Sequence, residues 1–289
     1  MLSGANIVYI SLGFVAFLIA YLLRALRFHG LLGRRIGKSA LFSVICIHNS
    51  ANEIMPAFTG EFSYVILLKK LHGVAAGKGI ASLVVARVFD IAVISLFFIA
   101  ASANVKDAPD IIMGMIWIVA AFAIVIITML FGLVRYGSRF LGIVKRTASM
   151  VGASRSGLFR YISRKSGDVV RSFGEMGLDS VAWEVAIISL LIWAFSYLAT
   201  YLLLRAFGVY LGVSETIIVI SLTSLLPLLP VRGVLGFGVT EATMSVLLIV
   251  FGVAKDFAIA ASFGIHIVGL VFVFLLGAYG TWRVGIKEK

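Results

Sequence analysis

The sequence predicts an all-α polytopic membrane protein: five spanning helices and two re-entrant helical hairpins in an inverted repeat, with seven ordinary spanning helices as the alternative. Three observations lead there. Hydrophobic residues form 61% of the chain and charged residues 13%, against roughly 25% charged in an ordinary globular domain. Several apolar runs approach or exceed the ~20 residues that cross a ~30 Å hydrocarbon core. Twenty of the twenty-five Lys and Arg fall in four clusters, Arg24 to Lys38, Lys69 to Lys78, Arg135 to Arg171 and Arg283 to Lys289, between those runs. The runs are too long and uniform for barrel strands, so helices must satisfy the backbone within lipid.

Ile7–Leu23 is the first span. It has no basic segment before it and no small-residue cleavage site, so it reads as a retained helix and not a signal peptide. Ser39–Leu68 is apolar but bounded by basic loops at both ends, and basic loops favour the cytoplasmic side. It should therefore enter and leave on one side. It breaks at Asn49–Glu61, where polar residues, Pro56 and Gly60 oppose a continuous helix, and the flanks Ser39–His48 and Phe62–Leu68 are too short to span. A hairpin opening to the cytoplasm meets both conditions, its irregular backbone buried in protein or lining a wet cavity. Seven ordinary spans would instead export Lys69, Lys70 and Lys78 or strand other basic loops.

Ala81–Ala101 and Ile111–Val134 follow as spans. The segment 135–180 mixes nine bases with Leu158, Phe159, Ile162 and Val169, which suits an interfacial helix or, more plainly, a solvated linker. Val181–Phe207 spans again. Ile217–Leu229 and Ala242–Phe251 then flank a break at Pro230–Glu241, and the outer loops Gly208–Glu215 and Gly252–Phe257 are poor in bases. This hairpin should open outward, and Ala258–Trp282 returns the C-terminus to the basic side. The chain divides into 1–134 (first repeat and connecting span), 135–180 (basic cytoplasmic loop) and 181–289 (second repeat), in the plasma membrane with its N-terminus outside. Two oppositely oriented units, each broken at its centre, are the pattern of alternating-access carriers.

The net charge of +12 does not point to nucleic acid, because the bases separate apolar runs and form no single face; they read as topology signals and anionic-lipid contacts. Cys46 is alone in an apolar run, which excludes an intrachain disulfide. There is no His/Cys cluster, phosphate loop or nucleophile elbow, so neither an enzyme, nor a cofactor, nor a metal site is expected. Expected partners are membrane lipids, chiefly with anionic headgroups, a lipid-modifying enzyme or glycosyltransferase, and a second copy of the chain.

Ionisable side chains at membrane depth are costly, so each is a functional candidate. The candidates are Asn52, Glu53, Glu61, Arg87, Asp90, Arg232 and Glu241, with Pro56, Gly60, Pro227, Pro230, Gly233, Gly236 and Gly238 as the breaks. Arg87 and Asp90, three apart, share a helical face and can pair, as headgroup contacts or as a salt bridge that pins the helix. Glu61 opens a half-helix after Gly60, where the dipole favours a carboxylate; capping is its plainer role. Glu53, placed inside the break, can bind a cationic headgroup, carry a proton or pair with Arg87. Arg232 beside Gly233, Gly236 and Gly238 has the composition of an anion nest suited to phosphate, unless the glycines serve only close packing. Glu241 takes the place after the second break that Glu61 takes after the first. His48 and His266 read as packing histidines before proton relays.

Two motifs carry a resemblance. Asn52-x-x-x-Pro56-x-x-x-Gly60-Glu61 followed by Ala86-Arg87-Val88-Phe89-Asp90, and Leu226-Pro227-Leu228-Leu229-Pro230-x-x-Gly233-x-x-Gly236-x-Gly238-x-x-Glu241, resemble the transmembrane region of lysylphosphatidylglycerol synthetases. This is the flippase-like domain of multiple-peptide-resistance proteins, also found as stand-alone membrane proteins. The resemblance runs from about Arg24 to Gly277. It implies movement of an aminoacylated phospholipid or a polyprenyl-linked glycolipid between leaflets. Two departures, Phe58 and Tyr64 where the family usually has Arg, and His266 where Arg is often near, imply a different headgroup choice. An ion-coupled carrier of a small solute and a non-transporting membrane subunit of a glycosyltransferase or lipid synthase are the other readings.

Overall fold

The computed structural model describes residues 6–55, 60–105, 114–125, 128, 146, 172, 178–225 and 234–287. Among them the regular structure is helical: α1 Ile7–Leu31, α2 Lys38–Ile54, α3 Glu61–His72, α4 Ala76–Ser102, α5 Gly114–Val125, α6 Leu178–Ala206, α7 Val213–Leu225, a 3-10 turn Val234–Gly236, α8 Val239–Val250 and α9 Lys255–Lys287. Four of these, α1, α4, α6 and α9, are long and apolar enough to cross a membrane. The expected span Ile111–Val134 is described only over α5, and nearly all of 135–180 lies outside the described residues. Leu12, Val15, Leu96, Ile187, Leu191, Val271 and Leu275 point outward from the long helices. That belt fits a multi-pass membrane protein, in which lipid supplies the missing partner for apolar surface.

The four shorter helices of the two broken segments hold 17, 12, 13 and 12 residues. At 1.5 Å per residue they reach only ~18 to ~26 Å, short of the hydrocarbon thickness. The first break is narrower than the sequence suggests, because α2 continues through Asn49–Glu53 to Ile54. Asn and Ser are weak helix formers rather than breakers, so the stop comes from Pro56: Met55 before it turns extended at φ −83° and ψ 136°. Glu53 thus stands on the last turn of a helix and not within a break. Likewise α8 begins at Val239, which takes Thr240 and Glu241 out of the second break. Arg24 and Arg27, expected in a basic loop, belong to α1, whose apolar pattern runs on through Phe28 and Leu31.

α1 and α6 pack antiparallel along their length. The Asn6 amide donates to Ala206 O at 3.0 Å at one end, and Arg34 donates to Glu184 at 2.8 Å at the other. The outer ends of α2 and α3 lie at the Arg34 end: Lys78 Nζ is 3.7 Å from where a Gly33 Cβ would stand, and Ser39, Lys70, His72 and Arg283 line one cleft. The outer ends of α7 and α8 lie at the Ala206 end, where Phe257 is 3.5 Å from where a Gly208 Cβ would stand. Between them α2 packs against the 3-10 turn of the second break.

Exchanging α1–α4 for α6–α9 turns one packed pair into another. The contact α2–α9 becomes α7–α4, α3–α4 becomes α8–α9, α1–α2 becomes α6–α7, α2–α3 becomes α7–α8, and α1–α4 becomes α6–α9. The image of α4–α6 is α9–α1, which meets through Phe272 against Phe14 and Phe17. Small residues set the closest approach. A Cβ on Gly280 would stand 2.8 Å from Ser43 O, one on Gly277 would meet Ser50, and Ser50 Oγ donates to Val273 O at 2.9 Å. Such surfaces let helices pack where lipid removes the usual hydrophobic drive. Cys46 is buried at this seam as a free thiol.

Candidate functional site

The first broken segment builds a network across five helices. Glu61, the first residue of α3, pairs with Arg87 of α4. His48 of α2 hydrogen-bonds Ser63 Oγ at 2.9 Å and holds its Nε2 3.8 Å from Glu61 Oε2. Glu61 Oε2 is itself buried with no hydrogen bond among the described residues. On α4, Asp90 lies one turn beyond Arg87, yet their closest approach is 4.0 Å. Asp90 belongs instead to Arg27 of α1, which reaches it through two nitrogens at 2.6 and 3.1 Å and also donates to Ser189 of α6 at 3.0 Å. Trp193 Nε1 of α6 completes the carboxylate at 2.9 Å.

The expected Arg87–Asp90 pair is present at 4.0 Å but is the weaker contact of both residues. Each residue has a better partner on another helix, because an i,i+3 pair is confined to its own surface whereas a bidentate guanidinium can approach a carboxylate in its plane. Arg27 is 3% exposed, and a charge so buried survives only with a matched counter-charge. Sequence reasoning missed it by counting it among loop bases. The available signal was the apolar period carried past it by Ala25, Phe28 and Leu31, which makes it a helical residue.

Asn52 lies against Gly60. A Cβ on Gly60 would stand 2.5 Å from Asn52 Cα and 2.7 Å from its Oδ1, so only glycine lets the start of α3 lie against the end of α2. Glu53 is partly buried on that same last turn, near Tyr21 of α1.

The second broken segment is more compact. Gly236 and Gly238 take φ of +74° and +95°, and Leu235 is held at φ 58°, a region that costs a side chain with a Cβ. Glu241, 1% exposed, accepts from the Gly238 amide at 2.8 Å with one oxygen and pairs with His266 of α9 through the other. The capping role expected of Glu61 is thus found at Glu241, which sits in the third position of its helix and can fold back on the amide before it. His266 packs its ring against Phe237 and lies 3.5 Å from where a Gly236 Cβ would stand. Arg232, Gly233, Pro227, Pro230 and Pro56 fall outside the described residues, and among the described residues no cluster of three metal-ligating side chains occurs.

A third feature was not legible in the sequence. Arg24 of α1 lines a cavity of about 280 Å³ with Trp193, Ser196 and Thr200 of α6, Thr223 of α7, and Thr240 of α8.

The profile of the Lysylphosphatidylglycerol synthase TM region family matches residues 1–277. The chain belongs to that family. Comparison with curated proteins and with solved structures gives no match.

Proposed function

We propose that this member of the family is a lipid translocase, a flippase-like protein that carries a phospholipid or polyprenyl-linked lipid between leaflets and performs no chemistry on it. In this reading α2–α3 and α7–α8 are re-entrant hairpins opening to opposite sides, and the two four-helix units form an inverted repeat. One observation carries most of the weight: α2 of the first broken pair touches the turn of the second, while the outer ends of the two pairs lie at opposite ends of the molecule. Irregular backbone is tolerated at membrane depth only where protein or a wet path surrounds it. Charged groups at that depth mark what passes. Glu61, one of whose oxygens has no hydrogen bond among the described residues, suits a cationic or hydroxylated headgroup, and Arg87 suits its phosphate. The basic end carrying Lys69, Lys70, Lys78 and Arg283 is cytoplasmic by the positive-inside tendency.

The test is a leaflet-exchange assay with fluorescent anionic, zwitterionic and polyprenyl lipids in proteoliposomes. Transport above protein-free vesicles for at least one class is expected, and transport for none would end the reading. Topology is checked separately in a Cys46→Ala background. Arg35→Cys and Lys69→Cys should label from one side and Gly252→Cys from the other; labelling of Arg35→Cys and Lys69→Cys from opposite sides would make the first pair an ordinary crossing.

A further inference from the structure

We infer that the Arg24 cavity is a binding subsite for the phosphate of a lipid, a single anionic phosphodiester whose apolar chains continue along the cavity wall. The inference rests on the translocase reading and names where the substrate's charge is held. α1 carries two arginines one turn apart with opposite situations. Arg27 is matched by Asp90 and by the Ser189 hydroxyl oxygen. Arg24 has no carboxylate within ion-pair distance among the described residues; its guanidinium lies 5.5 Å from the Tyr21 ring centroid.

The cavity wall identifies the ligand by elimination. The Trp193 indole N–H is committed to Asp90. Ser196, Thr200 and Thr223 donate to carbonyls one turn back at 2.8, 3.2 and 2.7 Å. The remaining wall is largely apolar, with Phe17, Leu203, Ile220, Met244, Ile265 and Phe272. Ser224 and Thr240 add two hydroxyls to the wall, and among the described residues its one cation, about two turns inside the end of α1, has no counter-charge, in surroundings where an uncompensated charge is costly. A ligand that completes this site brings one negative charge and apolar surface together. At about 280 Å³ the space is at the lower limit of small-molecule pockets (roughly 300 Å³), so it takes a headgroup and the start of its chains. Thr223 and Ser224 close α7 before the second break and Thr240 opens α8 after it.

The full-length protein in detergent is titrated with short-chain phosphatidylglycerol, with the matching diacylglycerol and with inorganic phosphate, binding being followed by Trp193 quenching with brominated chains and by native mass spectrometry. Phosphatidylglycerol should bind, while diacylglycerol and free phosphate bind at least tenfold more weakly. Arg24→Gln should weaken phosphatidylglycerol roughly tenfold to a hundredfold, the range for losing a charge-assisted hydrogen bond, and Arg24→Lys should restore part of it. Trp193→Phe should remove the quench. If Arg24→Gln and Arg24→Lys, shown folded by gel filtration, bind as the unaltered chain does, the subsite is wrong. If diacylglycerol binds equally, the charge has no role; if free phosphate does, the occupant is a soluble anion. Arg24-dependent binding without leaflet exchange would sink the translocase reading and leave the subsite standing. Unaltered exchange by Arg24→Gln would do the reverse.

Discussion

The two broken segments place a glutamate at nearly the same point, just after a glycine at the start of a short helix, and use it differently. Glu61 faces outward from its own helix to Arg87, and its other oxygen has no hydrogen bond among the described residues. Glu241 folds back: one oxygen caps Gly238 and the other meets His266. The first is held by charges from other helices that could exchange partners. The second is closed on itself. Two positions separate the roles, because a first-position glutamate cannot reach the amide before the helix, whereas a third-position one can. The same residue type after a glycine can thus close a helix on itself in one break and reach a neighbouring helix in the other.

Asp90→Ala gives the largest expected effect. It strands the buried Arg27, and breaking a buried pair by removing one partner costs about 3–5 kcal/mol. Unfolding in detergent should show it, and the double variant Arg27→Leu/Asp90→Leu should recover most of the loss. If Asp90→Ala costs no more than an exposed pair does, the first network is not held by charge.

The second test sets the glutamates against each other. Glu241→Ala leaves the Gly238 amide and the largely buried His266 without their acceptor, a loss of about 1–3 kcal/mol. Glu61→Ala releases Arg87, whose side chain is 40% exposed and can turn to solvent or headgroups, so the stability loss should be smaller, about 1 kcal/mol or less. Lipid exchange should rank the other way, with Glu61→Ala the more damaging. Equal ranking in both assays would erase the distinction between a cap and a contact.

Much of this fold is written in the sequence, and the misses have physical causes. The spans are legible because lipid demands long apolar runs, and the breaks because Pro56 and the glycines at 233, 236 and 238 resist helix. The extent of α2 was not, since Asn49 to Glu53 are polar without being breakers, and only Met55 obeys the proline. Pairing was legible only within one helix, at Arg87 and Asp90. Arg87 and Asp90 are neighbours in sequence, but their partners Glu61 and Arg27 are 26 and 63 residues away, distances that only packing of α1, α3 and α4 closes. Arg24 and Arg27 were hidden by their charge, which resembles a loop signal until the apolar residues around them are given helical phase.

The glycines sharpen the same contrast at lower cost. Gly60→Ala meets backbone at 2.5 Å and should destabilise by about 1–3 kcal/mol through overpacking. Gly238 has nothing within 4 Å of where a Cβ would stand but sits at φ +95°, so Gly238→Ala should cost roughly 1–2 kcal/mol through backbone strain. Asn should serve better than Ala at 238, because Asn tolerates positive φ, and worse at 60, because it is larger. Thermal unfolding of the four variants separates a crowded break from a strained one; if Asn and Ala rank alike at both sites, the two breaks share one cause.

The smallest effect belongs to Arg34→Ala. The Arg34–Glu184 pair has a contact distance of 2.8 Å, close to that of Arg27–Asp90, yet its side chains are 65% and 37% exposed. Solvent screens such a pair, and exposed pairs contribute about 0–1 kcal/mol, so the variant should unfold within that margin of the parent. Raising salt should shrink even this difference, while the Asp90→Ala deficit persists because buried pairs are screened less. Arg27 inside α1 and Arg34 in the turn after it reach neighbouring helices at nearly the same contact distance, so burial is the variable that differs. If Arg34→Ala matches Asp90→Ala, the depth of Arg27 in the bundle explains nothing about how α1 is held.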